Sequence, residues 1–320
     1  MSRPDRGVTG PEPVARTDVD AINRVFSDAF TERYRKDGLA GVRVPQLNTA
    51  IWHFAIDDAG AGAMLWRDNR GDVVAFNIVH RAGSEGWMGP LAVRTDHQGH
   101  RLGRRIVAAG IAWLEAQGVA TIGLETMPRT IDNIGFYSRL GFQPGHLTVT
   151  LQRDQPRARP VASWRLGALA KVEREVAIAA CRDLAVVLGG GVDFSRELRL
   201  TLDLGLGDAT LLRDPDGAIA AFALWHTAPL AQGRSRDELR ILKLVAPDSA
   251  VALQLIGGVE REAAAQALPH FSLRCQSAYH EIYGALTSDG FRVRWTDLRL
   301  TLAGKGEPVR SGVVLSNWEI

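Results

Sequence analysis

Apolar residues recur with a 3.6-residue period at Val19, Ile22, Val25, Phe26 and Phe30, which predicts an amphipathic helix with Thr17 as its N-cap. A second run, Val176, Ala180, Leu184 and Val187, predicts a similar helix in the other half of the chain. Each helix pattern is followed by a hairpin pattern, VVAFNIVH after the Arg70-Gly71-Asp72 turn and AIAAFALWH after Asp214-Pro215-Asp216-Gly217. The two halves are copies of one order. MLWRDNRGDVVAFNIVH (Met64 to His80) lies over TLLRDPDGAIAAFALWH (Thr210 to His226) at an offset of 146, and RLGFQPGHLTVTL (Arg139 to Leu151) over SDGFRVRWTDLRLTL (Ser288 to Leu302) at an offset of 149. Each copy is then expected to close on a Trp strand, VASWRL or VLSNWEI, with Gln155 to Pro160 as the exposed turn before the first and Gly304 to Pro308 before the second. The boundary falls near Gly167, dividing the chain into domains 1–167 and 168–320.

Between the hairpin and the second repeat landmark of the first copy lies the stretch richest in chemical signal, Met88 to Phe142. The apolar strand Pro90 to Val93 runs into Gln98-Gly99-His100-Arg101-Leu102-Gly103, and a helix opens there with its free N–H groups and positive end forward. Such a turn is a cradle for an anion, and Arg101 and Arg104 add charge-assisted donors to it. The order of strand, polar turn, helix, strand and a helix ending Phe136-Tyr137-Ser138-Arg139-Leu140-Gly141-Phe142 resembles the acyl-CoA-binding core of the GNAT acyltransferase superfamily. The resemblance implies an α+β fold, two tandem GNAT-like domains with mixed, mostly antiparallel sheets and flanking helices. Hairpin-joined early strands, and the lack of Gly-x-Gly-x-x-Gly after the first strand, speak against a doubly wound dinucleotide fold.

On that resemblance, acetyl-CoA is the cosubstrate. Gln98 to Gly103 receive its pyrophosphate, backbone groups of Leu91, Ala92 and Val93 hold the pantetheine arm and thioester oxygen, and Tyr137 faces the sulfur. Arg101 stands where the family usually has its first Gly, at a cost of about 1–2 kcal/mol if the position needs a positive φ. Thr130 stands where the family often has a pantetheine-binding Asn, with Asn133 as the nearby amide. Acyl transfer to an amine also needs a proton acceptor. Glu85, two residues before Trp87 on the same strand face, and Glu125 in GLETMP are the candidates, with water relay as the alternative. Arg33, Tyr34, Trp52 and His53 fall in the region that shapes the acceptor site in this family. The second copy passes from LRILKLVAPD straight into AVALQLIGGVEREAAAQA without the cradle motif, and Leu286 takes the place of Tyr137, so it reads as a degenerate copy that stabilises the pair or helps form the acceptor pocket.

The expected function is therefore transfer of an acetyl group from acetyl-CoA to a small-molecule amine at one site in the first domain. The alternative is a non-catalytic acyl-CoA-binding or sensing protein. A formal charge of +2 argues against nucleic acid or an anionic membrane as partner, and 46% apolar with 23% charged residues describes a globular chain. Apolar runs such as Val73 to Val79 are too short to span a bilayer. His97 and His100 lack companions at ligand spacing, so no metal is expected. Cys181 and Cys275, far apart, fit a reducing cytoplasmic setting, and the polar N-terminal MSRPDRGVTGPEPVARTD reads as a disordered lead. A homo-oligomer is left open.

Overall fold

The repeat extends to single hydrogen bonds in the computed structural model, which describes residues 7–318. Asp68 Oδ1 accepts from the amides of Arg70 and Asp72 at 3.0 and 3.1 Å, and Asp214 Oδ1 accepts from Asp216 and Ala218 at 3.0 and 2.9 Å. The neighbouring arginines match too: Arg67 donates to the Gly71 carbonyl at 3.1 Å and Arg213 to that of Gly217 at 3.0 Å. An aspartate that closes its own turn in this way fixes where the hairpin reverses.

Around these turns the first copy forms β1 (Thr9–Pro13), α1 (Val19–Lys36), α2 (Thr49–Ala59), β2 (Ala63–Arg67), β3 (Val73–Ala82), β4 (Glu85–Val93), α3 (Leu102–Ala116), β5 (Thr121–Thr126), α4 (Ile131–Ser138) and β6 (Phe142–Asp154). The second follows with β7 (Trp164–Arg165), α5 (Lys171–Gly189), α6 (Ser195–Asp203), β8 (Gly207–Arg213), β9 (Ile219–His226), β10 (Glu238–Ala246), α7 (Ser249–Ala265), β11 (His270–Gln276), α8 (His280–Ser288), β12 (Arg292–Leu302) and β13 (Val313–Ser316). In the first copy α1 and α2 pack on one face of the sheet around Ile22, Trp52 and Phe76, and α3 and α4 on the other around Ile106, Val107 and Leu124. Both faces being covered, β3 is buried almost throughout instead of alternating.

The strands form one sheet in the order β1-β2-β3-β4-β5-β12-β6-β11-β10-β9-β8-β7, with β13 pairing β10. The copies exchange their long last strands. β12 of the second copy pairs with β5 of the first, and β6 of the first sits between β12 and β11. The β12–β6 pair is the central seam, antiparallel along most of both strands.

Several sequence expectations need correction. VASWRL does not close the first copy: Trp164 and Arg165 pair with Leu211 and Thr210 and so open the second sheet half, as β1 opens the first. Gln155 to Pro160 is therefore not a turn between two strands of the first copy but part of the connection to β7, strapped to α7 where Glu260 accepts from the Arg157 amide at 2.9 Å and from Arg159 Nε at 2.8 Å. In α5 the buried face is Ala177, Ile178, Cys181 and Ala185, while Val176 and Val187 lie exposed, because small residues let the helix approach its sheet more closely than the valine stripe would. The helix α1 begins at Val19 after a 3₁₀ turn over Arg16–Asp18, one residue beyond the position that a Thr17 cap implies. The expected disordered lead falls partly outside the described residues, and within them Thr9–Pro13 is strand β1. Among the described residues no helix is long and apolar enough to cross a membrane.

Candidate active site

Two parallel strand pairs, one in each copy, fork. In the first, β4 and β5 pair from Glu85 with Thr121 to Met88 with Leu124. Beyond Met88, β4 stays with β3, through Leu91 with Asn77 to Val93 with Ala75, whereas β5 turns to β12. One edge of β4 from Gly89 to Val93 is left facing a cavity of about 450 Å³. In the second, β10 leaves β11 after Ile241, and β13 enters the gap, pairing Ser316 through Val313 with Lys243 through Ala246.

The first fork opens toward the start of α3. Gly99 takes φ 80° and Arg101 φ 64°, both left-handed, and these turn the chain so that α3 begins at Leu102. The first intrahelical bond runs from the Arg105 amide to the Arg101 carbonyl at 3.2 Å, so the first-turn amides of Leu102, Gly103 and Arg104 precede it. No side chain caps this helix. Gln98, Gly99, Arg101, Gly103 and Arg104 line a second cavity of about 470 Å³ with Arg139, which adjoins the first and shares Val93, Gln98, Gly103 and Phe136 with it. Gln98 donates to the Val93 carbonyl at 3.0 Å, tying turn to strand. Leu102 instead sits in the core, and neither it nor His100 lines either cavity.

Tyr137, on α4, lines the fork cavity with its ring packed against Phe136 and Phe142, centroids 5.1 and 6.1 Å away. Burial pushes its phenol well above the ordinary tyrosine value, so it holds its proton at any working pH. Asn133 lines the cavity and reaches the Thr126 hydroxyl at 3.4 Å. Thr130 does not: it is buried and donates to Asp37 at the end of α1, 2.7 Å away.

The two candidate carboxylates have different surroundings. Glu85 is buried, accepts from Trp87 Nε1 at 3.1 Å and from Arg310, and does not line the cavity. Glu125 lines it, accepting from Thr148 Oγ1 at 2.6 Å and Arg274 at 2.7 Å. Burial would raise the Glu125 carboxyl, but Arg274 and then Arg299 outweigh it and hold the group below its ordinary value. Arg274 also bonds Asp297, whose carboxyl burial raises despite that partner. Of the acceptor-side residues, Arg33 and Tyr34 line the cavity, Trp52 is packed in the core between Phe26 and Phe76, and His53 is not among the lining residues. His97 is engaged by Asp96 at 2.9 Å, and among the described residues no group of three or more His, Cys, Asp or Glu is placed to hold a metal.

Among the lining residues that sequence reasoning does not name are four of the second copy, Arg274, Trp295, Asp297 and Trp318. Trp318 follows β13 and stacks on His80 at 4.4 Å and 9°, and Lys243 Nζ lies 3.4 Å from its ring centre. Lys243 donates to Ser316 Oγ at 3.1 Å and the Asn317 carbonyl at 2.7 Å, and His80 is paired with Asp58 at 2.6 Å. Nearby, Glu197 is buried with neither oxygen hydrogen-bonded.

The part of the chain that carries the fork, the uncapped helix start and the buried tyrosine matches known proteins. Residues 21–142 match the model of the acetyltransferase (GNAT) family. Those residues form a GNAT-family domain. The whole chain's tandem GNAT fold has solved counterparts. A protein of Pyrococcus horikoshii with a proposed acetyltransferase role superposes at TM-score 0.69 and 13% identity, over 99% of this chain and 97% of that one. A tandem GNAT protein from the clavulanic acid biosynthesis pathway gives 0.57 and 12%, over 94% and 98%. Saccharomyces cerevisiae N-myristoyltransferase, solved with myristoyl-CoA, gives 0.63 and 11%, over 92% and 82%. At such identities the likeness is one of fold. Among curated proteins, none matches the chain. The GNAT family is one of acyl-CoA-dependent acyltransferases, and the two forks of this chain differ in the features such a ligand would use.

Proposed function

We propose that the chain transfers an acetyl group from acetyl-CoA to a small amine, at one site in the first copy. The observation that carries this reading is the edge of β4 from Gly89 to Val93 left open by the fork, which meets the uncapped start of α3 and the Tyr137 ring across two cavities that share Val93, Gln98, Gly103 and Phe136. The residues fit the donor. First-turn amides of α3, with Arg101, Arg104 and Arg139, suit a pyrophosphate, and the edge of Leu91 to Val93 that faces away from β3 suits an amide-bearing arm. When bound, the thioester supplies an activated acyl carbon. The chain's own residues then do three things. The β4 edge fixes the acyl group and offers an N–H to its oxygen as charge develops there. Tyr137, kept protonated by burial, gives its proton to the leaving thiolate. A carboxylate on the far side of the cavity, Glu125 or its neighbour Asp297, or a water between them, takes the proton of the attacking amine. Glu85 is held by Arg310 and Trp87 away from the cavity and serves in this reading to brace the fork.

The test is thiol release from acetyl-CoA with a panel of primary amines, beside calorimetry with CoA alone. Binding and turnover are expected together. Binding with no thiol release for any amine would turn the reading into that of an acyl-CoA sensor.

A further inference from the structure

Of the cations lining the fork cavity, Arg33 is engaged by Asp37 and Lys36 by Glu32, and the charges in contact with Asp297 do not balance. Arg274, from β11, bonds both Glu125 of β5 and Asp297 of β12, so one cation serves two carboxylates. Arg299, the next cation, is 3.7 Å from Glu125 but closer to Glu307, at 3.1 Å. The remaining partner of Asp297 is neutral, Trp295 Nε1 at 3.3 Å. A largely buried carboxylate short of a counter-charge is a place for a cation from outside.

The walls beside it indicate what body that cation carries. Trp295 of β12 and Tyr34 of α1 face the cavity with ring centroids 6.1 Å apart, and Phe26 and Phe30 extend the apolar wall along α1. Aromatic faces favour a flat apolar group and a cation near it. Polar groups without partners lose affinity against such walls.

We propose that the acceptor is a protonated primary amine on a flat apolar body, an arylalkylamine, with its ammonium on Asp297 and its ring beside Tyr34 and Trp295. The proposal rests on the acyltransferase reading and adds the substrate class. An α-amino acid would bring a carboxylate against Glu125 and Asp297, like charge to like. An amino sugar would leave hydroxyls unpaired against the rings. Once seated, the ammonium gives one proton to the Asp297 carboxylate, and the freed amine nitrogen attacks the thioester carbonyl carbon. The C–N bond forms as the C–S bond breaks, the nitrogen sheds its surplus proton to water, and the thiolate takes one from Tyr137, which regains it from water. Asp297 releases its proton to solvent, so the sum is amide, thiol and one proton.

The test uses the full chain with tryptamine, phenethylamine, propylamine, glucosamine and phenylalanine. Binding is read by tryptophan fluorescence and calorimetry with CoA present, and turnover by thiol release. We expect kcat/KM for the two arylalkylamines to exceed that for glucosamine and phenylalanine by at least about tenfold. Asp297→Asn should raise the amine KM about tenfold or more, with the acetyl-CoA Kd within about twofold, and Asp297→Glu should recover part of the loss. Trp295→Ala should narrow the preference for tryptamine over propylamine; it takes the Nε1 bond from Asp297 but removes none of the three charges, so it decides the matter if Asp297→Asn does not fold. Arylalkylamines that bind but are never acylated would keep the amine site and overturn the acyltransferase reading. Turnover of glucosamine or phenylalanine at rates equal to tryptamine, or Asp297→Asn with unchanged amine KM, would overturn this proposal and keep that reading.

Discussion

The two forks start from the same strand geometry and end as different objects. In the first, the edge of β4 beyond Met88 faces a cavity, and α3 begins with no side-chain cap. In the second, β13 lies along β10 from Lys243 to Ala246, and the start of α7 is capped by Asp248, whose carboxylate accepts from the Val251 amide at 2.9 Å. One helix start has free donors and arginines around it, the other a fixed anion of its own. A parting of parallel strands thus creates only an opportunity. What fills the gap, and what charge sits at the helix start, decide whether it is a site.

The largest expected break in this contrast comes from Tyr137→Phe. The ring still packs against Phe136 and Phe142, so acetyl-CoA affinity should stay within about twofold while kcat falls roughly 10²–10⁴-fold, as for a lost general acid. Unchanged turnover with a working acceptor would leave Tyr137 a packing residue. Next, calorimetry should count one CoA per chain. Gly103→Val should weaken that binding by about tenfold or more, since even a Cβ there sits 3.4 Å from the Phe136 ring and a larger side chain intrudes on the cavity. Two sites per chain would erase the distinction between the forks.

A third test addresses the charges around the filled fork. Burial, with Asp58 adding to it, pushes the Glu197 carboxyl from 4.5 to about 8. A carboxyl raised on folding binds its proton more tightly in the folded chain. Its contribution to stability is full below about 4.5 and is lost as the pH climbs to about 8. Glu197→Gln removes that loss, so its Tm advantage over the parent should be small at low pH and grow toward pH 8. An advantage that does not change with pH would show that the carboxyl does not titrate in this window. The smallest effect belongs to Arg101→Gly. Relief of the left-handed φ gains about 1–2 kcal/mol, and the added freedom of glycine in the unfolded chain takes back about 0.5–1. Net stabilisation near 1 kcal/mol should accompany weaker, less salt-sensitive CoA binding if the guanidinium grips a phosphate. Tighter binding by the glycine variant at low and high salt would assign Arg101 to blocking the cradle.

Much of this architecture is written locally and can be read from the sequence. Arg67-Asp68 and Arg213-Asp214 specify their hairpins through bonds within a few residues, and the strand, turn and helix from Pro90 to Gly103 are contiguous. The strand exchange is not legible, because β6 and β12 are both long strands from matching places in the repeat, and nothing local says which will lie beside β5. Asp297 and Trp295 escape for the same reason: their place at the first cavity depends on β12 crossing into the other copy. The valine stripe of α5 misleads because periodicity locates a face but not the side from which small residues permit closer packing.

The exchange also sets a schedule for synthesis. When β6 leaves the ribosome, the edge of β5 is already available with only α4 between them, while β12, which belongs on that edge, is still to be translated. The nascent chain therefore meets a nearby rival pairing before its final one, and the long-range closure that resolves it is intrinsically slow. Until then the same edge is open to β12 of any neighbouring molecule. At high concentration during refolding, the geometry that joins two copies within one chain offers a route to joining two chains.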